Sequence, residues 1–478
     1  MNGDPRPFWE KVERTFDYRT PVRDLALFAE RDPEYDPLSR LERRLRRPSD
    51  HQKYLVTGTV GNGKTSALFH LSANLARDRM VVFFDVYDHF VNRVGDRNAL
   101  ERLEPWELLG LLGLAVIRAG EERFGHRWGD EPKALEKALG KLRKADGGES
   151  AEINVVKLAR SLAIAAGGVV GSVAGGPATG LLGSGVGKTV ADTGLELLEA
   201  AADATSWSWR IGFAEGRGRK DQDAEIRELL GAVNGLIMRM QQEYGRRLLL
   251  VVDGIDRVQE PERLDVLFVD SSLLGELACD EVFTAPQELL SGGAARRTVA
   301  FRTYDHCNVP VLSHTDPTLP GPGLPFFREV VRKRMTVVEA ELAERGMAMP
   351  SDAPIPEHVV DRLAYYSGGL VRDFVRMVAF AASEAWEAQV PSVTDEIVDE
   401  TLRDARSIQE LRITSDEIVL LEQVMRDPKH KLPTGELARE QLRQQRLLPF
   451  PNETPWYYPN PLLTLAVLKP GPRRRSAP

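Results

Sequence analysis

Residues 58–65 combine glycine, lysine and threonine at the spacing of a phosphate-binding loop (P-loop). The segment fits the pattern G-x-x-x-x-G-K-[S/T] at each defined position. Glycines let backbone N–H groups turn inward around phosphates, and the N-terminus of the following helix adds positive potential. We expect Lys64 to reach the β- and γ-phosphates of a nucleotide and the Thr65 hydroxyl to bind Mg²⁺. The sequence therefore predicts a site for ATP with Mg²⁺. The predicted nucleotide-binding residues are Gly58, Thr59, Val60, Gly61, Asn62, Gly63, Lys64, Thr65 and Ser66.

The elements around this motif have the order that it requires. Residues 54–57 are predicted to form a short buried strand, and residues 65–77 a helix with its apolar side chains on one face. The alternative is a glycine-rich turn that binds nothing, and the flanking strand and helix argue against it. A second Gly-Lys-Thr motif at 183–189 has Leu182 where the pattern requires glycine. No β-branched strand precedes that motif, so we do not predict a second nucleotide site.

An acidic residue ends the apolar run at 248–252. Asp253 follows the run directly, Gly254 comes next, and Asp256 follows within one turn. An ATPase needs an acidic residue at the end of a neighbouring strand to hold the magnesium shell. Asp253 is predicted to be that residue, which makes Thr65 and Asp253 the predicted magnesium ligands. The alternative is a strand that merely ends in an Asp-Gly turn.

The run ending in Asp-Gly-Ile-Asp resembles the Walker B motif of STAND NTPases, the signal-transduction ATPases that include the NACHT group. Residues 280–286 resemble a sensor 1 strand, in which a polar residue lies near the γ-phosphate, and Thr284 takes that position. Residues 366–373 resemble the start of the sensor 2 helix of origin-recognition-type AAA+ ATPases, whose arginine reaches the nucleotide from a helical lid. Arg372 takes that position. The alternatives are a strand-ending turn residue for Thr284 and a solvated charge for Arg372.

The resemblance has one departure, at Gly254. Many AAA+ ATPases place glutamate there as the base for the attacking water. Asp256 is our candidate to orient the water instead, and slow hydrolysis is expected, as suits a switch. The predicted catalytic residues are Lys64, Asp253, Asp256, Thr284 and Arg372.

Strands that alternate with helices predict an α/β fold with a parallel sheet covered on both faces. The further predicted strands are 80–86, 248–252 and one containing Val282 and Phe283. The predicted helices are 39–46, 105–123, 224–244, 326–345, 356–366, 370–389, 415–426 and 434–446. Residues 447–463 resemble the β-wing of a winged-helix domain. The predicted domains are an N-terminal helical segment (1–50), a P-loop ATPase core (51–316) with a mostly helical insertion at about 100–223, a helical lid (317–410), a winged-helix-like domain (411–470) and a disordered tail (471–478).

Bulk composition restricts the class of protein. The chain has 478 residues, 42% of them hydrophobic, and a formal charge of −8. This composition is ordinary for a globular protein of two to four domains and argues against a surface basic throughout. The two cysteines, Cys279 and Cys307, have no metal-type spacing and fit a reducing compartment. The first ten residues contain no apolar signal region, so we expect a cytoplasmic protein.

Residues 161–187 contain nine glycines and no charged residue. Glycines spaced by four could form a close-packing helix face, and the segment is long enough to cross a bilayer. However, Pro177 divides it, and glycine disfavours helix by about 1 kcal/mol per residue. A packed or flexible loop is the favoured interpretation, with an oligomer contact or a membrane-active hairpin as alternatives.

The leading hypothesis is a nucleotide-driven switch that couples ATP binding to self-assembly or to an effector protein. The family likeness suggests bacterial signalling or defence against phage, which is an analogy. The alternative is a DNA-binding AAA+ ATPase of the origin-recognition or loader type. Its winged helix would use basic residues that are interspersed with acids: Lys429, Lys431, Arg439, Arg443 and Arg446, with Glu436 and Glu440. A membrane-disrupting effector built around residues 161–187 is a third hypothesis.

Overall fold

The computed structural model describes residues 4–49, 51–94, 97–145, 159, 223–258, 260–291, 298 and 300–469. The glycine-rich segment 161–187, the second Gly-Lys-Thr motif and the predicted disordered tail lie outside these residues. Within them, no helix combines the length and the hydropathy that a membrane span requires.

The helices are α1 (Arg6–Thr15), α2 (Pro37–Leu45), α3 (Lys64–Leu75), α4 (Pro105–Phe124), α5 (Glu131–Ala145), α6 (Asp223–Tyr244), α7 (Pro261–Phe268), α8 (Glu288–Ser291), α9 (Leu324–Glu344), α10 (Glu357–Tyr366), α11 (Val371–Glu387), α12 (Asp395–Glu410), α13 (Ser415–Arg426) and α14 (Glu436–Arg443). These bounds confirm the predicted helices to within a few residues. The last one, predicted over 434–446, is shorter at both ends: Gly435, with φ of +121°, precedes its first turn, and Gln445, with φ of +58°, follows its last turn.

The strands are β1 (Lys53–Thr57), β2 (Arg79–Asp85), β3 (Arg247–Asp253), β4 (Asp280–Ala285), β5 (Arg302–Asp305), β6 (Leu447–Phe450) and β7 (Trp456–Pro459). The first five form one sheet in the order β2-β3-β4-β1-β5, in which β2 pairs with β3 and β3 with β4 in parallel. The α/β fold class is therefore confirmed.

β4 lies between β1 and β3, so the strand of Asp253 is not the direct neighbour of β1 that we expected.

The chain divides into two compact units. The loop unit comprises Met1–Leu41, Thr57–His70 and Asp305–Pro478, and the sheet unit comprises Glu42–Val56 and Leu71–Tyr304. The domain boundaries given above stay predictions.

The sheet unit has a core between its strands and two long helices. Apolar runs in β2 and β3 put alternate side chains on one face, where they pack against α4 and α6. That cluster includes Val82, Phe84, Leu250, Val252, Leu108, Leu112, Val233 and Leu236. Helix α4 begins with Pro105 and a capping box formed by Glu104 and Glu107, and it ends at Gly125 in the left-handed conformation.

Charged side chains tie the first residues of β2, β3 and β4 together. Asp280 is fully buried and forms ion pairs with Arg247 (2.8 Å) and Arg79 (3.3 Å). Arg79 and Arg247 are themselves register partners. Since a slip of one residue would break these pairs and turn the apolar side chains to the other face, the register of β2 on β3 is strongly specified.

The loop unit has its core around α1, α9 and α11. Phe8, Trp9, Phe327 and Phe374 belong to this cluster, and the Trp9 indole N–H donates to the Val390 carbonyl at 2.8 Å. Near the C-terminus, α13, α14 and the antiparallel hairpin β6–β7 surround a smaller cluster of Leu421, Val424, Leu442, Leu447, Leu463 and Leu468. An antiparallel hairpin therefore lies within residues 447–463, and its assignment as the wing of a winged-helix domain stays a prediction.

Lys53 at the start of β1 forms a buried ion pair with Glu281 of β4. The Lys53 ammonium also donates to the carbonyls of Leu277 (2.6 Å) and Cys279 (2.9 Å). Burial raises the pKa of Glu281, and Lys53 opposes that rise. This pair therefore links the two strands at the centre of the sheet.

Lys53→Met is expected to lower the free energy of unfolding by about 3–5 kcal/mol, because it leaves a buried carboxyl and two carbonyls without their donor. Denaturant titration measures this loss. The control is Lys133→Met, which removes an exposed lysine paired with Asp130 and should leave the midpoint unchanged. Equal midpoints for the two variants would contradict the role of Lys53.

Candidate nucleotide-binding site

The P-loop follows β1 directly and runs into α3. Gly61 and Gly63 have φ of +87° and +94°, a region that side chains strongly disfavour. A Cβ added at Gly61 would lie 3.2 Å from the Arg372 Cβ. The backbone conformation favours glycine at position 61, although the P-loop pattern leaves this position open, and the close approach of Arg372 leaves little room for a side chain.

Lys64 holds the first part of the loop. Its ammonium donates to the carbonyls of Gly58 and Thr59, each at 2.8 Å, and its exposed fraction is only 3%. A buried cation beside a glycine-rich turn at the start of a helix is chemically suited to an anionic phosphate.

Three separate segments bind the next three carbonyls of the loop. The Gln445 side-chain amide, from the turn after α14, donates to the Val60 carbonyl. The backbone N–H of Arg372, near the start of α11, donates to the Gly61 carbonyl at 2.9 Å. The Arg31 guanidinium, from the segment between α1 and α2, donates to the Asn62 carbonyl. Three segments that lie far apart in the sequence, around residues 31, 372 and 445, thus all contact the P-loop backbone.

Arg31, like Gln445, is a residue of this group that no sequence motif marks. Its guanidinium also donates to the Cys307 carbonyl at 2.7 Å. Burial lowers the pKa of Arg31 to about 10, and Asp36 opposes that fall. Arginine in a polar N-terminal segment carries no signal that would have identified it, since only the fold brings it to the loop.

The side chains of the predicted binding residues Thr59, Asn62 and Ser66 have partners within the protein. The Thr59 hydroxyl donates to the Asn308 side-chain oxygen, and the Asn62 amide donates to the His306 carbonyl. The Ser66 hydroxyl accepts from the Val22 N–H at 2.9 Å. These side chains therefore hold the loop's shape, while its backbone remains the predicted phosphate ligand.

Arg372 lies at the start of α11, directly against Gly61. The residues before it are also held, because the Val309 N–H donates to the Gly369 carbonyl at 3.2 Å. The next residue, Asp373, is buried, which raises its pKa, and it pairs with Arg376 at 3.2 Å. The structure thus places Arg372 beside the P-loop, and its role as a nucleotide sensor stays a prediction.

In the sheet unit, two carboxylates face each other where β2 and β3 end. Asp85 and Asp253 are register partners, and Asp253 is almost fully buried. Burial, and then the neighbouring Asp253 charge, raise the pKa of Asp85 to about 7, while a hydrogen bond from the Asp88 N–H opposes the rise. Asp256 lies beyond them in a 3-10 turn, Ile255–Arg257. Sequence reasoning missed Asp85, although an aspartate follows both the apolar run 80–84 and the apolar run 248–252.

Thr284 is in β4, whose pairing with β3 ends with Phe283 opposite Val252. Its hydroxyl is fully buried and has no hydrogen-bond partner among the described residues. An unpartnered buried hydroxyl is uncommon, because burial without a hydrogen bond costs free energy. A polar ligand would satisfy this atom.

The residue types fit the implied Mg²⁺. The predicted ligands, the Thr65 hydroxyl and the Asp253 carboxylate, are oxygen donors, which Mg²⁺ prefers. In the described part of the chain, no group of three or more His, Cys, Asp and Glu side chains could hold a metal ion. Mg²⁺ commonly uses one or two carboxylates with waters and substrate phosphates, so these donors are sufficient in type and number.

No protein-family model matches the chain, and no curated protein sequence matches it either. Three solved structures show a distant likeness. A structure of the Drosophila ORC bound to DNA is 12% identical, with a TM-score of 0.36 over 87% of this chain and 72% of that chain. Cdc6p from Pyrobaculum aerophilum is 11% identical, with a TM-score of 0.36 over 95% of each chain. The Aeropyrum pernix Orc1 protein in complex with DNA is 12% identical, with a TM-score of 0.34 over 96% of each chain. Likeness of this size carries no argument about the activity of this chain.

Lys64→Ala is expected to weaken ATP binding roughly 30- to 1,000-fold. It removes hydrogen bonds to charged phosphates, for a loss of about 2–4 kcal/mol, and about 1.4 kcal/mol is a factor of ten. Isothermal titration calorimetry with ATP and Mg²⁺ measures the change. The matched control is Lys188→Ala in the second Gly-Lys-Thr motif, which should bind ATP as the unmodified chain does. An unchanged affinity in Lys64→Ala would disprove the site.

Proposed function

We propose that this chain is an ATPase of the AAA+/STAND type that works as a switch, binding ATP with Mg²⁺ and hydrolysing it slowly. Lys64 and the P-loop backbone bind the phosphates, and Thr65 and Asp253 hold the magnesium ion. The observation that carries the proposal is the set of three hydrogen bonds from separate segments to the Val60, Gly61 and Asn62 carbonyls.

The planarity of the peptide bond explains how the nucleotide state would be transmitted. The carbonyl of each residue and the N–H of the next residue belong to one rigid plane and point in opposite directions. The segments that hold the Val60, Gly61 and Asn62 carbonyls thereby orient the N–H groups of the following residues. A phosphate that binds those N–H groups changes the orientation of the planes, and therefore the strength of all three contacts.

The expected size of this coupling suits a switch. A neutral hydrogen bond contributes about 0.5–1.5 kcal/mol and a charged one about 1.5–3 kcal/mol. A difference of about 1–3 kcal/mol between nucleotide states would shift populations roughly 5- to 150-fold. The contacts of Gln445, Arg372 and Arg31 are therefore strong enough in principle to couple the loop to three segments.

The output that we propose is self-assembly or the binding of an effector protein. Exposed apolar side chains near the junction of α12 and α13 support a protein partner: Ile408 is 59% exposed, Leu411 66% and Val419 65%. A setting in bacterial signalling or phage defence follows from the resemblance to STAND ATPases alone, and the genes beside this one would test it.

The DNA-binding alternative has less electrostatic support. On α14, Arg439 pairs with Glu436 (3.1 Å) and Arg443 with Glu440 (2.7 Å), while Arg446 is buried against Glu417. Two exposed lysines, Lys429 and Lys431, are the remaining basic residues of this region. Lysine and arginine side chains drive DNA binding when they neutralise phosphates and release the counterions condensed on the DNA. Arginines that already pair with carboxylates contribute less to this effect.

Gln445→Asn is expected to uncouple the C-terminal domain from the nucleotide. Gln445 has φ of +58°, which asparagine tolerates, but the shorter side chain loses the bond to Val60. We expect the ATP-induced change in hydrogen exchange of residues 447–463 to fall about 2- to 12-fold, as loss of one hydrogen bond predicts. The control is Gln444→Asn, because the Gln444 side-chain amide donates a hydrogen bond to Glu440 of α14 and not to the P-loop. A full response in Gln445→Asn would contradict this coupling.

Arg372→Ala is expected to bind ADP normally but to lose the response specific to ATP. The variant keeps the backbone hydrogen bond to Gly61 and removes only the guanidinium, which we propose contacts the γ-phosphate. Light scattering with ATP and with ADP measures assembly. Arg332→Ala, an exposed arginine of α9 paired with Glu329, is the control. Assembly with ATP that equals the unmodified chain would return Arg372 to the role of a solvated charge.

A further inference from the structure

His306 directly follows β5 and is held against the P-loop through its backbone. The His306 N–H donates to the Thr57 carbonyl at 2.8 Å, and the His306 carbonyl accepts a hydrogen bond from the Asn62 side-chain amide. A Cβ added at Gly58 would overlap the same carbonyl oxygen. These residues all belong to the loop unit, so the position of His306 beside the P-loop is determined within one compact unit.

The imidazole of His306 is buried without a hydrogen-bond partner. Its exposed fraction is 0%, and neither Nδ1 nor Nε2 has a partner among the described residues. A neutral imidazole has one N–H donor and one acceptor nitrogen, and both are unused here. Buried polar atoms without partners are uncommon because they cost free energy. An apolar side chain of similar volume would avoid this cost, so packing alone does not account for histidine at this position.

Two cations of the P-loop region act on this imidazole. Burial first, and then the charges of Arg31 and Lys64, hold the pKa of His306 well below its ordinary value, while the Asn62 hydrogen bond opposes that fall. The ring is therefore neutral near pH 7 and keeps a single N–H donor. No carboxylate of the described residues is among the charges that shift this pKa.

This arrangement suits an anion. An anion beside the ring would be attracted by both Lys64 and Arg31, and it would accept the unused imidazole N–H. The uncharged edge of a nucleobase would gain much less from the two cations. A phosphate oxygen is the anionic group that a P-loop at the start of a helix binds.

We propose that His306 is a further nucleotide-binding residue, which donates its ring N–H to a phosphate oxygen held by the P-loop. This inference rests on the proposed function, because it assigns another ligand of the same site. The contact is one of binding and takes up no proton. It gives the buried imidazole the partner that it lacks within the described part of the chain.

The test compares His306→Leu and His306→Gln in the full chain. Leucine has a similar volume and removes both ring nitrogens, whereas glutamine keeps an N–H donor. Calorimetry measures the affinity for ATP and for inorganic pyrophosphate, each with Mg²⁺. We expect His306→Leu to weaken both by about 10- to 150-fold, as loss of one hydrogen bond to a charged group predicts, and His306→Gln to recover part of the loss. Pyrophosphate has no base, so its loss of affinity assigns the contact to the phosphates.

Thermal unfolding without nucleotide distinguishes binding from a purely structural role. His306→Leu removes buried polar atoms that have no partner, so its unfolding temperature should stay the same or rise. A structural role predicts the reverse, a lower unfolding temperature with unchanged affinity. The matched control is His126→Leu in the sheet unit, whose buried ring nitrogens also lack a hydrogen bond among the described residues, although Glu243 lies 3.3 Å from Nδ1. That variant should bind ATP and pyrophosphate as the unmodified chain does.

A measurement on the unmodified chain keeps the inference testable if His306→Leu does not fold. The chain is labelled with ¹⁵N-histidine, and the ring signal of His306 is identified by its absence in His306→Gln. We expect this signal to shift when pyrophosphate and Mg²⁺ are added, because the ring N–H acquires an acceptor. An unchanged signal at saturating pyrophosphate would overturn the inference.

The possible outcomes separate this inference from the proposed function. If the unmodified chain binds neither ATP nor pyrophosphate, the proposed function fails and the inference with it. If it binds both and His306→Leu binds them as tightly, only the role of His306 is overturned. A variant that loses affinity for ATP but not for pyrophosphate would also overturn it, because the contact would then not be to a phosphate.

Discussion

The carbonyl groups of the P-loop need partners, and this need organises the loop unit. A loop that turns its N–H groups towards a phosphate turns its carbonyls outward, because both groups share rigid peptide planes. Buried carbonyls without donors cost free energy. Here Lys64 satisfies the Gly58 and Thr59 carbonyls, and Gln445, Arg372 and Arg31 satisfy the next three. The phosphate binding and the communication that we propose would therefore both depend on this one set of hydrogen bonds.

The sheet unit depends on a different constraint, the register of β2 on β3. Arg79 and Arg247 share Asp280 at one end of these strands, and Asp85 meets Asp253 at the other. The ion pairs of Asp280 stabilise the strands, whereas the two carboxyl groups at the other end repel each other when both are charged. One register thus produces a stabilising contact at the first end of the two strands and a pair of buried carboxyl groups at the other.

Much of the local structure could be predicted from the sequence. Apolar runs give β2 and β3, helical periodicity gives α3 and α11, and the glycine pattern gives the P-loop, because these signals depend on neighbouring residues. Strand β5 was not predicted, since Arg302–Asp305 has a polar composition and lies at the sheet edge. Gly254 was noticed as a departure, but its sequence position does not show what fills the space beside it.

The sequence by itself determined where Lys64, Thr65 and Asp253 lie in the P-loop motif and at a strand end, and from this it predicted their chemistry. Only the tertiary structure decided which distant groups meet. Arg31 and Gln445 reach the P-loop from opposite ends of the chain. Asp85 is the register partner of Asp253, although the two residues are 168 positions apart in the sequence. Strand order and loop contacts arise from packing between segments far apart in sequence, and no local pattern encodes which of them become neighbours.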